Sequence, residues 1–362
     1  MQNPLEKLAE IQLRHTDKVI LLCLLLTVFL GLGIPKIQIQ TDFQEGLPND
    51  LPPIVAEEKI QAEFGNTESL IILFKTNEKT LEKSYVTDIR DPRMVRTLNF
   101  LERELEREPI VASTSSMASI FSENPETKDE VKRKLRKTPV SYVNRDFTAT
   151  TMFVRLTGQM SEKRVRKATE TIETNLDEAP SYPGIEASIT GLPAIRTTLA
   201  TIVVNDTTRI IAAASALILV LLTGVRGLFY GPATFAPLFM GLLWTLGAMG
   251  WIGLPLTIVT ISLASMLLGL GVEYGSFIAE RIVEEAEESD IEKAVKKTMP
   301  STGKAVLGSS TTDLVGFLAL LTASISFLRD LGLTLALGEA LTLTGAIVLT
   351  PSIIIKYERW KK

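Results

Sequence analysis

Glu273, Asp313 and Glu339 each interrupt a long apolar stretch, and Tyr274 follows the first of them. On insertion scales a charged side chain at the centre of a span costs roughly 2.5–3.5 kcal/mol, so each is a functional candidate. Glu273 lies in Gly269-Leu270-Gly271-Val272-Glu273-Tyr274-Gly275, and Asp313 in Ser309-Ser310-Thr311-Thr312-Asp313-Leu314-Val315-Gly316. Counted inward at 1.5 Å per residue from Arg281 and Gly303, Glu273 comes about 12 Å and Asp313 about 15 Å from one membrane face. The two helices are consecutive and antiparallel, so the carboxylates reach nearly the same depth. Ser309, Thr312, Asp313 and Gly316 follow the i, i+3, i+4, i+7 spacing of one helix face, and Gly269, Glu273 and Ser276 form a comparable stripe. Gly269, Gly271 and Gly316 are expected to let the helices approach closely. The expectation is a polar seam with one carboxylate from each helix. Glu339, in Leu337-Gly338-Glu339-Ala340, lies about 14 Å in from Asp330 and is expected at a different depth, as a secondary group.

Carboxyl groups in such a seam can take up and release a proton as their exposure changes. Sodium is the other candidate ion, with Ser309 and Thr312 supplying further oxygens. Tyr274 can hydrogen-bond a carboxylate or relay a proton. A potential of 100 mV supplies about 2.3 kcal/mol per charge moved. The bland alternative is that these groups merely fix helix packing. Other chemistries are poorly served. Cys23 and His15 are the single cysteine and the single histidine, which disfavours a zinc site, a disulfide or a Cys/His catalytic pair. An aspartyl protease would want two aspartates in contact. No cofactor is expected, and the ion is H+ or Na+.

The rest of the chain must hold that seam in lipid. Mean hydropathy is +0.22 and 46% of the 362 residues are hydrophobic, which favours a membrane class. A net charge of −4 gives no basic face for a nucleic-acid partner. Apolar segments fall as one plus five: 19–34, then 210–225, 228–252, 254–279, 303–325 and 331–355. The first follows a charged amphipathic lead-in and has no small-x-small cleavage site after it, so it reads as a retained anchor. Lys and Arg flank the termini, Arg226 and the 280–302 connection, which puts both termini in the cytoplasm and the polar stretch outside. The expected domains are 1–35 (lead-in and first span), 36–208 (extracytoplasmic), 209–356 (five spans) and 357–362 (tail). A helix over 281–302 is expected on the inner membrane face.

Within the polar stretch the pattern predicts strands at 69–75, 110–115, 147–156 and 184–190, with helices at 92–107 and 161–176. That order, βαββαβ, is the split βαβ pattern of ferredoxin-like domains. Residues 123–137 read as an inserted helix or loop. The fold class expected is thus a membrane α-helical bundle of six transmembrane helices with an extracytoplasmic α+β ferredoxin-like domain.

The order of parts and several motifs resemble one half of a transporter of the resistance–nodulation–division superfamily, in the branch with the MmpL lipid exporters and the hydrophobe/amphiphile exporters. Thr41-Asp42-Phe43 with Leu47-Pro48 and Pro52-Pro53 resembles that branch's motif after the anchor, and Gly191-Leu192-Pro193 its lead-in to the second span. Gly271-Val272-Glu273-Tyr274 resembles the fourth-span GVDY motif, with Glu for the usual Asp. Thr311-Thr312-Asp313 with Gly316-Phe317 resembles the fifth-span pattern, which Patched and Niemann–Pick relatives share in part. The resemblance implies a proton relay through Glu273, Tyr274 and Asp313. It also implies a porter-type polar domain and export of a lipid or amphiphile from the plasma membrane. Family members usually carry two such halves, so a homodimer or a partner half is expected. The alternatives are a SecD/SecF-like accessory subunit of protein translocation and a sterol-sensing-like lipid-binding module without transport.

Overall fold

The structure, a computed structural model, describes residues 4–40, 47–48, 50–64, 69–76, 85–138, 142–157, 162–257 and 259–361. Thr41, Asp42 and Phe43 of the motif after the anchor lie outside them. The chain divides into two compact units, Met1–Pro48 with Ala200–Lys362, and Asn49–Leu199.

The first unit begins with α1 (Pro4–Arg14), whose buried Leu5, Ala9, Gln12 and Leu13 recur at helical spacing. It is followed by α2 (Thr16–Gly31) and by a two-residue strand, β1 (Ile39–Gln40). Leu21, Leu22, Val28 and Phe29 of α2 all face outward, the pattern of a helix against lipid rather than water.

The second unit runs α3 (Pro52–Phe64), β2 (Ser69–Thr76), α4 (Pro92–Leu105), β3 (Val111–Ser115), α5 (Lys128–Lys137), β4 (Ala149–Leu156), α6 (Glu162–Glu178) and β5 (Ile185–Thr190). The four strands form one antiparallel sheet in the order β3-β4-β2-β5. Leu70, Ile72 and Phe74 alternate along β2 into a core shared with Met94, Leu98 and Leu101 of α4 and Ile172 of α6. Asp91 caps α4 by accepting from the Arg93 N–H, and Pro92 supplies the preset first turn. The charged piece over 123–137 becomes α5, capped by Thr127 and anchored through buried Val131. Gly191 closes β5 at φ +109°, and an added Cβ would stand 2.6 Å from the Ser69 carbonyl oxygen. Glycine in the Gly191-Leu192-Pro193 motif is therefore a backbone requirement.

The chain continues as α7 (Leu192–Ile252), β6 (Leu256–Thr257), α8 (Leu263–Glu288), α9 (Ile291–Thr298), α10 (Lys304–Ala319) and α11 (Ser326–Lys361). β6 pairs in parallel with β1. Among the described residues, Thr16–Lys36, Leu192–Ile252, Ile291–Thr322 and Ser326–Lys361 are long and apolar enough to cross a membrane. α7 is broken at Gly227, where φ 84° and ψ 170° leave the helical region. Three boundaries differ from the expectations, one of them at 254–279, where the helix starts only at Leu263 because β6 and a short turn precede it. The helix expected from 210 begins at Leu192, because Thr, Asn, Asp and Arg between 197 and 209 lower hydropathy without forbidding a helix. The helix expected over 281–302 is not one element: α8 runs on to Glu288, Ser289 is extended, and α9 restarts after Asp290 with Ile291, Ala294 and Val295 buried.

Polar groups of the bundle are satisfied mostly at short range. Thr234, Thr245, Thr342 and Ser352 each donate to the carbonyl four residues back, at 2.6–2.8 Å. Trp244 Nε1 donates to Thr27 Oγ1 at 2.7 Å, and Arg226 donates to the Ser276 carbonyl at 2.9 Å. Pro351 lies inside α11 and cannot donate to the carbonyl of Ile347. Buried Gln12 fills the gap: its Nε2 donates to Ile347 O at 2.8 Å and to Val348 O at 3.0 Å. Arg359 Nη2 donates to Leu13 O at 2.9 Å and to Glu292 at 3.1 Å, which ties α1, α9 and α11 together.

Gln12→Leu leaves the Ile347 carbonyl unpaired in an apolar site and should cost about 1–3 kcal/mol. Restoring the backbone donor with Pro351→Ala should shrink that cost, and thermal unfolding of the four proteins in detergent reads the coupling. In the second unit, burial works against the Asp88 carboxylate. Hydrogen bonds from Arg90 and Lys128 outweigh it and hold its pKa well below the usual aspartate range. A depressed carboxylate stabilises the fold above the unfolded-chain value near ~3.9, and that stability is lost as pH falls below it. Asp88→Asn should flatten the acid limb of a stability profile scanned from about pH 6 to pH 3.

Candidate functional site

α8, α10 and α11 each bring one ionisable side chain to a common point. α11 packs along both α8 and α10. The close approach of α8 is made at Gly271, where an added Cβ would stand 2.3 Å from Leu238 and 2.4 Å from Thr342. One turn on, Tyr274 is buried at 2% exposure and points between the other two helices. Its hydroxyl lies 3.1 Å from Asp313 Oδ2 of α10 and within hydrogen-bonding distance of Glu339 Oε1 of α11.

The hydrogen count is informative. A phenol carries one proton and a carboxylate none. The hydroxyl can donate to either carboxyl group, and it accepts from the other only where that carboxyl is protonated. Glu339 is fully buried, and its Oε2 has no partner among the described residues. Ser310, also fully buried, stands beside that carboxyl.

The seam therefore differs from the one the spacing predicts. Asp313 is half-buried and meets Tyr274, not Glu273. Glu273 is exposed on the next face of α8, where it lines an open groove with Ser309. Thr312 is exposed and its hydroxyl turns back toward the Gly308 carbonyl at 3.4 Å. Ser276 is buried, and its carbonyl accepts from Arg226. Of the three glycines expected at helix contacts only Gly271 is one. Among the described residues, an added Cβ at Gly269 or Gly316 meets nothing within 4 Å. Two residues on from either face of a helix, the side chain points nearly the opposite way.

Glu339 is the main correction. Expected at another depth, it shares the Tyr274 hydroxyl with Asp313. The expectation measured depth from Asp330, whereas the helices cross where Gly332 meets the Phe317 carbonyl. From that crossing Asp313 lies about 6 Å and Glu339 about 10 Å down their helices, within one turn of each other. Ser310 was not singled out, although it stands three residues before Asp313, the spacing of one helix face.

The end of α8 carries a second charged group. Glu285 accepts from Lys297 of α9 at 2.6 Å and also pairs with Arg281. The Lys297 hydrogen bond holds its carboxyl below the usual glutamate range. Among the described residues no group of three or more His, Cys, Asp or Glu is arranged to hold a metal ion.

Comparison with known proteins bears on this arrangement. A profile of the MMPL family matches residues 46–362. A putative membrane protein of Methanocaldococcus jannaschii is 29% identical over 368 residues, covering 98% of this chain and 94% of that protein. The probable transport protein MmpL4 of Mycobacterium leprae is 24% identical over 94% of this chain, which spans 34% of that transporter. The sulfolipid-1 exporter MmpL8 of Mycobacterium tuberculosis is 27% identical over 96 residues, 26% of this chain and 9% of that protein.

Difference infrared spectroscopy checks the proton count. The wild type should show a protonated carboxyl band that is lost in Glu339→Gln or Asp313→Asn and shifts in Tyr274→Phe. Tyr274→Phe should also cost about 1–3 kcal/mol, since it strips partners from a buried carboxyl.

Proposed function

The chain belongs to the MMPL family, and we propose that it is a proton-driven exporter of lipids or other hydrophobic molecules, working as a pair of such chains. One observation carries the reading: a buried tyrosine hydroxyl joins carboxyl groups from two neighbouring helices in a bundle with lipid-type outer faces. Protonation of that cluster changes its hydrogen-bond count, and so changes which positions of α8, α10 and α11 are favoured. A proton taken up and released on opposite sides would then drive one cycle of helix movement. The coupling ion in this reading is H+, with no organic cofactor and no metal.

The break at Gly227 divides α7 into two spans. In this reading α8 joins the four helices that are long and apolar enough to cross a membrane, and the spans number six. The βαββαβ order and the β3-β4-β2-β5 sheet fit a ferredoxin-like, porter-type domain. The Lys and Arg at the termini, at Arg226 and around α9 favour cytoplasmic termini in the cell membrane, with residues 36–208 outside. The archaeal relative matches nearly end to end, and this chain spans 34% of MmpL4.

Reconstituted vesicles test the function. Under an imposed proton gradient, lipid movement should fall to the level of protein-free vesicles in Glu273→Gln, Asp313→Asn and Glu339→Gln, with the folded protein still inserted. Wild-type movement by all three variants would overturn the coupling.

A further inference from the structure

β5 is an edge strand of the second unit, hydrogen-bonded to β2 alone, and a groove of about 700 Å³ runs between it and α6. Phe74, Ile185 and Ile189 line its apolar floor, and Glu170, Glu173 and Asp177 stand along the α6 wall. All three carboxylates are exposed and make no ion pair among the described residues. Their placement is unfavourable. Spaced three and four residues apart, they repel along one helix face, and they lie toward the C-terminal end of α6, where the helix dipole disfavours negative charge. α6 has no basic residue in its last turn to offset them. An apolar floor under an uncompensated acidic wall suits long cationic side chains, whose methylene stems lie on the floor while their heads meet the carboxylates.

The chain itself carries such a group. α5 lies between β3 and β4 in the chain and is held by buried Val131 and by Lys128, which pairs with Asp88 at 2.7 Å. Its acids are engaged locally: Asp129 pairs with Lys132 at 3.6 Å, and Glu130 accepts from the Glu126 N–H at 3.2 Å. Arg133, Lys134, Arg136 and Lys137 stay exposed, with no ion pair among the described residues. The lengths agree as well. The ten residues of α5 cover about 15 Å, and the groove wall from Arg166 to Asp177 about 16 Å. No residue of α5 lines the groove of its own chain.

We propose that this groove is a docking surface for a second copy of the chain, whose α5 lies along α6 and sets its four exposed cations against Glu170, Glu173 and Asp177. The docking gives a surface to the pairing of chains read above, and rests on that reading for its purpose alone. One ten-residue helix makes a small interface, and confinement of both copies to one membrane supplies the effective concentration that it needs. Charge selects the partner, so salt weakens the contact.

Cross-linking between copies of the full chain in membranes tests it. Cys23, the single native cysteine, is replaced by alanine. Two differently tagged copies are co-expressed, one with Ser181→Cys at the end of the groove wall, the other with Thr138→Cys at the end of α5. A short bismaleimide should join them. Arg107→Cys, exposed and outside the groove, should not be joined to Thr138→Cys. The yield should fall at least ~3-fold between about 0.1 M and 0.5 M salt. Glu173→Lys with Asp177→Lys in the groove copy should lower it at least ~5-fold, and so should Arg133→Glu with Arg136→Glu in the α5 copy. The two reversed copies together should regain most of the yield, which separates a lost contact from a lost fold. No cross-link above the Arg107→Cys control, as when lipid or another protein fills the groove, overturns the docking. A yield indifferent to charge reversal, or reversed copies that fail to rescue each other, overturns it too. Cross-linking by chains that move no lipid in the vesicle assay leaves the docking standing and counts against the exporter reading.

Discussion

A single phenolic oxygen shared by two carboxyl groups is the constraint on which the membrane unit turns. In low dielectric an unpaired carboxyl is expensive, so Asp313 and Glu339 must both stay close to Tyr274. That fixes α8, α10 and α11 to within one turn of each other. The surrounding packing follows from the same demand. Gly271 admits Leu238 and Thr342 so that α8 lies close enough for the ring to pass between its neighbours. The tight crossing at Gly332 sets α10 against α11 with their carboxyl groups at matching heights.

α11 carries Glu339 and a proline, and the second feature has to be managed for the first to be held in place. The carbonyl that Pro351 leaves without a backbone donor is met by Gln12 from α1. An amphipathic segment of that kind is easily taken for a membrane-surface anchor. Here its apolar residues pack among α8, α9 and α11 instead, and its one buried amide completes another helix's hydrogen bonding. Arg359 repeats the link at the chain's other end.

Much of this was legible in the residue pattern, and the failures have definite causes. The strands and helices of the second unit stand out because alternation and 3.6-residue periodicity are local properties, as in Leu70, Ile72 and Phe74 or Met94, Leu98 and Leu101. Tyr274 and Asp313 stand out because polar groups in apolar runs are rare. Depth counted from a loop misplaces Glu339, because side chains meet according to where helices cross. Hydropathy does not reveal the polar start of α7, because it measures affinity for lipid, not helicity. Gln12 and Pro351 lie far apart in the chain, and nothing in either segment announces the other. The partnership exists only after folding.

The hydroxyls that bond back to their own helices have a mechanical consequence. Thr234, Thr245, Thr342 and Ser352 spend their donors within one turn of themselves, so the faces they present to neighbouring helices are mostly methyl and methylene. Helices that meet through such faces can shift along one another by small steps without first breaking hydrogen bonds between them. Polar contacts between helices are then concentrated at a few places, among them Gln12 on α11, Trp244 on Thr27 and the cluster at Tyr274.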